Sequence, residues 1–260
     1  MNYYNNKIIE LIAENILNYS VNELKNIYKI FDEGETKVIA ASKTKKIFLN
    51  FLKDEGVSNK QFDLPYYLNF NKDKTIMIIG MDAKASHDDH NDVVLSTPYY
   101  LQSIKGRETN ENDYWKIIKI LSNTYNIYLT DVYKAYFEKE SILSNKIPLY
   151  KKNILHAEIL KKEILEVNPK AILCWGKASR DLVSKIVNVR PLDVITRDSN
   201  YPYECKGEFS NIKLVATPHP SKGTYKSAWL SFYDANLQGI EYSKNNKPEI
   251  LANFVLSKVK

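Results

Sequence analysis

The sequence predicts an α/β fold: a three-layer α/β/α sandwich with a mainly parallel central sheet of four to five strands, preceded by N-terminal helices. Two observations carry this expectation. Short runs that are apolar on both faces recur along the chain, and stretches with three- and four-residue apolar spacing separate them. Strands buried on both sides and alternating with helices pack as a parallel sheet covered by helices. No internal repeat and no Gly/Ser- or Pro-rich linker breaks the pattern. The 260 residues therefore read as a single domain, with a helical extension over 1–65 and a core over 70–235.

The elements follow in order. NKIIELIAENILNY (6–19) and VNELKNIYKIF (21–31) have helical spacing, and the first sixty residues read as helical. Strands are expected at TIMIIG (75–80), IYLTDVY (127–133), KAILCWG (170–176) and KLVATPH (213–219). Helices are expected over 112–125, 149–167 and 177–187, with Pro169 as an ordinary stop and KNNKPE (244–249) as an exposed turn. In such sheets ligands sit beyond the carboxyl ends of the strands. Asp82, Asp131 and the segment TPHPS (217–221) all fall at predicted strand ends. Neighbouring strands would bring the three to one rim.

Composition narrows the classes of function. At 44% apolar and 26% charged, the chain has the balance of a soluble globule. It contains no apolar run long enough to span a bilayer, and its polar start, MNYYNNK, is unlike a signal peptide. A cytoplasmic location, no membrane partner and a monomer are expected. Two cysteines, Cys174 and Cys205, are too few for a four-ligand cluster and are expected to be reduced and inert. Adjacent loop residues seldom converge on one ion, so HDDH (87–90) is read as a solvated or sugar-contacting loop; neither metal nor cofactor is expected. The net charge of +6 and the 19 tyrosines suit phosphate neutralisation and base stacking. Low-GC coding produces the same composition, so charge alone does not decide.

Three segments occur together in one order: IMIIGMDAKA (76–85), NPKAILCWGKAS (168–179) and LVATPHPS (214–221). A strand ending in Gly-x-Asp, a second ending in a polar residue and a last strand running into His-Pro-Ser resemble the uracil-DNA glycosylase superfamily. In that family's best-known branch the first motif reads Gly-Gln-Asp-Pro-Tyr-His. GMDAKA (80–85) keeps the Gly and the Asp, and HPS (219–221) is whole. The resemblance implies a uracil-DNA glycosylase-like fold and an enzyme that flips a base out of DNA and hydrolyses its N-glycosidic bond. It implies Asp82 and His219 as catalytic residues and Met81, in the segment after Gly80, beside the base. Ser221, Lys222, Tyr225 and Lys226 would meet DNA, with Tyr225 entering the stack where the flipped base had been.

The chemistry asks for these residue types. A departing base leaves an oxocarbenium-like sugar and a negative charge on the base. A carboxylate beside the sugar answers the first and orients the attacking water, a role for Asp82. A hydrogen-bond donor at the base O2 answers the second, a role for His219. The competing readings are a turn or cap aspartate for Asp82, a packed histidine between Pro218 and Pro220, and a solvated loop at KGTYK (222–226).

Three departures from the uracil-reading pattern bear on the substrate. The tyrosine that keeps thymine out is replaced by Lys84, and the stacking phenylalanine by Leu95, for which Tyr99 or Tyr100 would substitute. At the strand end where uracil is usually read by an Asn stands Asp131. An ionised carboxylate only accepts hydrogen bonds, which mismatches uracil O4 and suits the N4 amino group of cytosine. Sharing a proton with cytosine N3 would also let the base leave neutral, a role that requires a raised pKa; the alternative is that Asp131 is a loop carboxylate. An open C5 side with a cytosine-reading carboxylate suggests 5-modified cytosine, hydroxymethylated or glucosylated, as found in phage DNA. The expected function is a defence glycosylase for such bases. The alternatives are a uracil-directed repair enzyme and a catalytically silent DNA-binding module.

Overall fold

The computed structural model describes residues 6–15, 18–33, 37–39, 61–68, 72–82, 94–96, 113–133, 154–189, 203–220, 226–237, 239–243 and 246–260. Among them lie seven α-helices and nine strands. The helices are α1 (Asn6–Asn15), α2 (Val21–Asp32), α3 (Asp113–Ser122), α4 (Ile154–Val167), α5 (Lys177–Ile186), α6 (Lys226–Asn236) and α7 (Lys247–Val259). The strands are β1 (Lys37–Ile39), β2 (Gln61–Asp63), β3 (Tyr66–Leu68), β4 (Thr75–Asp82), β5 (Val94–Ser96), β6 (Asn126–Tyr133), β7 (Ala171–Trp175), β8 (Tyr203–Glu204) and β9 (Lys213–Thr217). No helix among the described residues is long and apolar enough to cross a membrane. The chain divides into two compact units that interleave along the sequence.

Within the first unit (1–67, 81–101 and 130–166), helix α2 starts with a reciprocal cap. The Glu23 N–H donates to Ser20 Oγ at 3.2 Å, and the Ser20 N–H donates to Glu23 Oε2 at 2.7 Å. Its buried stripe of Leu24, Ile27, Tyr28 and Phe31 follows helical spacing, and Tyr28 OH donates to the Pro65 carbonyl at 2.8 Å. A small sheet of order β1-β5-β2 was absent from the sequence expectation, with β1 antiparallel and β2 parallel to β5. Residues 37–39 are therefore strand, where the first sixty residues were expected to be helical.

The six-stranded sheet has order β3-β6-β4-β7-β9-β8, one strand more than the upper expectation. The excess comes from the short strands at its two edges. Strands β4, β7 and β9 are parallel, and β8 runs antiparallel to β9. In the second unit (68–80, 102–129 and 167–260) the strands start along one line. There Asn126 N–H donates to the Lys74 carbonyl (2.9 Å), Lys170 N–H to Thr75 (2.8 Å) and Lys213 N–H to Lys170 (3.2 Å). Strand β6 thus leaves the same edge as β4, β7 and β9. The Asn126 side chain fixes that edge, accepting from the Lys72 N–H at 3.0 Å and donating to the Lys72 carbonyl at 2.6 Å.

Continuous burial explains the central strands. Ile76 to Ile79 and Ala171 to Trp175 are all at most 2% exposed, as strands covered on both faces require. Helix α4 stops at Asn168, in the left-handed region at φ 43°, followed by Pro169, as the sequence predicts. The tail, by contrast, is not a solvent-exposed appendage. Lys247 and Pro248 are buried, as are Leu251, Phe254 and Val255, and α7 packs on α3 and β9. The expected exposed turn at KNNKPE is corrected on this point: its last residues are the first turn of a core helix.

Candidate functional site

Numbered in chain order, the four strands that start along the common edge (β4, β6, β7 and β9) lie in the spatial order 2-1-3-4. This is the doubly wound arrangement in which the chain moves to one side of its first strand, then crosses to the other. The reversal falls between β4 and β7. Just outside the carboxyl ends of those strands is where such folds leave a crevice for a ligand.

Gly176 stands at the end of β7 with φ 87° and ψ 166°, a backbone region open almost only to glycine. Its N–H donates to the Thr217 carbonyl at 2.8 Å, continuing the β7–β9 ladder by one bond. A Cβ placed on Gly176 would touch His219 Cβ at 3.7 Å, so the histidine lies beside the end of β7, one of the two strands that flank the reversal. Proline on either side fixes φ of the chain around His219, and both Pro218 and Pro220 are buried.

His219 is half-buried, with its ring edge-on to Trp175 at 6.4 Å between centroids. Tyr114, the second residue of α3, packs edge-on to Trp175 with ring centroids 3.9 Å apart. Burial, and then the charge of Lys247, lower the His219 pKa from its ordinary value, so the imidazole is held neutral at neutral pH. Trp175 and Thr217 are register partners, which puts their side chains on one face of the sheet. Trp175 Nε1 and Thr217 Oγ1 are both buried without a hydrogen-bond partner. Such atoms cost roughly 1–3 kcal/mol each unless a water or a ligand satisfies them.

Behind His219 lies a buried cation that sequence reading missed. Lys247 Nζ reaches Asp113 Oδ2 at 2.6 Å and the Pro220 carbonyl at 3.4 Å, and it sits 4.8 Å over the Trp229 ring. The signal was available as a proline and a glutamate in the first turn of NKPEILANFVL.

The sequence-predicted residues divide as follows. Strand β4 runs two residues further than expected, so Met81 and Asp82 belong to its backbone instead of a following loop. Asp131 lies inside β6 near its carboxyl end and is only 5% exposed. Asp82 and Asp131 fall in the first unit, on adjacent strands of the six-stranded sheet, and His219 falls in the second. Leu95 is fully buried at the centre of β5, flanked in register by Val38 and Phe62, so its side chain is taken up by core packing. Lys226 is exposed at the start of α6. Lys84, Tyr99, Ser221, Lys222, Tyr225 and the HDDH segment lie outside the described residues. No cluster of three or more His, Cys, Asp or Glu able to hold a metal occurs among the described residues.

Neither a scan against protein-family models nor a search of curated proteins finds a match to this chain.

Proposed function

We propose that the protein is a monofunctional DNA glycosylase that removes a 5-modified cytosine from DNA and leaves an abasic site. The observation that carries this reading is the placement of His219 beside Gly176, at the end of a strand that borders the reversal of a doubly wound sheet, where a ligand is expected. The two partnerless polar atoms of Trp175 and Thr217 in the same strands add weight to a ligand site there.

In the reaction the bond between the base nitrogen and the sugar C1′ breaks, and the bonding pair leaves with the base. Asp82 stabilises the sugar cation and takes a proton from the water whose oxygen bonds to C1′. His219, neutral and donating, stabilises the charge developing at the base O2. The buried Asp131 accepts from the cytosine amino group, a match that uracil O4 does not offer.

The test is parallel incubation with duplexes containing 5-hydroxymethylcytosine, its glucosylated form, uracil or plain cytosine, followed by alkaline cleavage of abasic sites. The expected result is cleavage confined to a modified cytosine. His219→Ala should slow it about 100- to 1,000-fold, the usual effect of losing one such donor, and Asp82→Ala should abolish it. Cleavage at uracil alone would replace the cytosine reading with a repair function. Absence of cleavage on every duplex would overturn the enzyme itself.

A further inference from the structure

The environment of Lys247 is expensive for a lysine in two ways, which its two polar contacts partly offset. Its side chain is only 8% exposed, so the ammonium has lost most of its water. It occupies the first residue of α7, where the helix dipole disfavours a cation. Two of its three donors are committed, to Asp113 at 2.6 Å and to the Pro220 carbonyl at 3.4 Å. Replacing a buried ion pair with apolar packing is often neutral or stabilising, so bulk stability gives little reason for this arrangement. Geometry gives a better one.

The contacts of the pair lead to His219 from two directions. On the backbone side, Lys247 binds the carbonyl of the residue that directly follows His219. On the ring side, Asp113 immediately precedes Tyr114, whose ring packs on Trp175, the neighbour of His219. Trp229, fully buried in α6, forms the floor under the ammonium at 4.8 Å. Four elements, α3, β7, α6 and α7, are thus tied to the segment that follows β9.

We infer that the Lys247–Asp113 ion pair is a clamp that sets the position of His219 at the strand ends, and that Lys247 is a positioning residue of the reaction. This rests on the glycosylase reading above for its catalytic consequence, but not for its structural one. The groups around His219 that bear charge or titrate include Lys247 on α7 and, behind it, Asp113 and Tyr114 on α3; β7 and β9 present Trp175 and Thr217.

The experiment compares wild type, Lys247→Met, Lys247→Arg and Asp113→Asn. Imidazole NMR titrations assign His219 by its loss in His219→Gln, thermal melts check folding, and single-turnover rates use the 5-hydroxymethylcytosine duplex. In Lys247→Met the His219 midpoint should move to higher pH, because the cation opposing the imidazolium is gone. The rate should fall about 10- to 100-fold, as expected for a misplaced group, with duplex affinity retained. Lys247→Arg, which keeps the charge, should recover most of the rate, and Asp113→Asn should lose it while keeping the lysine.

A His219 midpoint that stays in place in Lys247→Met, with a rate within about twofold of wild type, would overturn the clamp. So would a lowered melt with an unchanged rate. If Lys247→Met does not fold, Asp113→Asn carries the same decision. If wild type cuts no duplex, the glycosylase reading falls, and the His219 ring shifts of Lys247→Met, compared with wild type at a pH where both imidazoles are neutral, still decide whether Lys247 positions His219.

Discussion

Burial and the Lys247 ammonium both work against protonation of His219 and hold its pKa below the ordinary 6.5. In the unfolded chain the imidazole binds its proton at that ordinary value, and in the native protein only at lower pH. Between the two, the unfolded state carries more protons, so stability rises with pH through that window. The contribution is complete above about 6.5 and is lost as pH falls towards the native value. Urea midpoints measured across this window should therefore drop on acidification, and less steeply in His219→Gln; parallel curves would exclude the effect. The cysteines behave differently. Burial pushes the Cys174 thiol up, with Cys205 as the next cause, and burial followed by Glu204 pushes Cys205 up to about 12. Both are free and buried, so they stay protonated at neutral pH, as their number in the sequence suggested.

Among the elements, legibility followed length. β4, β7 and β9 announce themselves through unbroken apolar runs, because a strand covered on both faces has no polar position to offer. Strands β1, β2, β3 and β5 have three residues each and β8 has two, too few for any period to emerge, and they form only because a neighbour supplies the ladder. That is why the second sheet was invisible and why Leu95 looked available to a base. The positions of Asp82, Asp131 and His219 at or near strand ends were legible because strand ends can be read locally. Lys247 was not, because Lys-Asn-Asn-Lys has the composition of a turn and its burial depends on Asp113, far away in sequence. The core status of α7 has a direct consequence. Leu251, 1% exposed, should cost about 2–5 kcal/mol when cut to alanine. Leu230 on α6, 41% exposed, should cost within about 0.5 kcal/mol. Urea midpoints with unchanged slopes measure both, and equal small losses would return α7 to the status of an appendage.

At the scale of the whole molecule, 37 basic against 31 acidic residues leave a net charge of +6, and charge alone does not separate the remaining functions. A glycosylase and a silent DNA-binding module share this electrostatic footprint, because both must neutralise phosphates before anything else happens. Each neutralised phosphate releases counterions, and log K should fall against log salt by roughly 0.9 per phosphate on duplex DNA. On the proposed reading the strand ends meet the base and not the backbone, so the double variant Asp82→Ala/His219→Ala should keep the wild-type slope while losing all abasic product. Fluorescence anisotropy with a labelled duplex over a salt series, beside the alkaline cleavage assay, measures both quantities on one preparation. A flat salt dependence would remove DNA as the partner, whatever the fold suggests. A normal slope with no product from wild type would leave the binding module standing. A normal slope with product that vanishes in the double variant assigns the chemistry to the strand ends and the affinity to the surface charge.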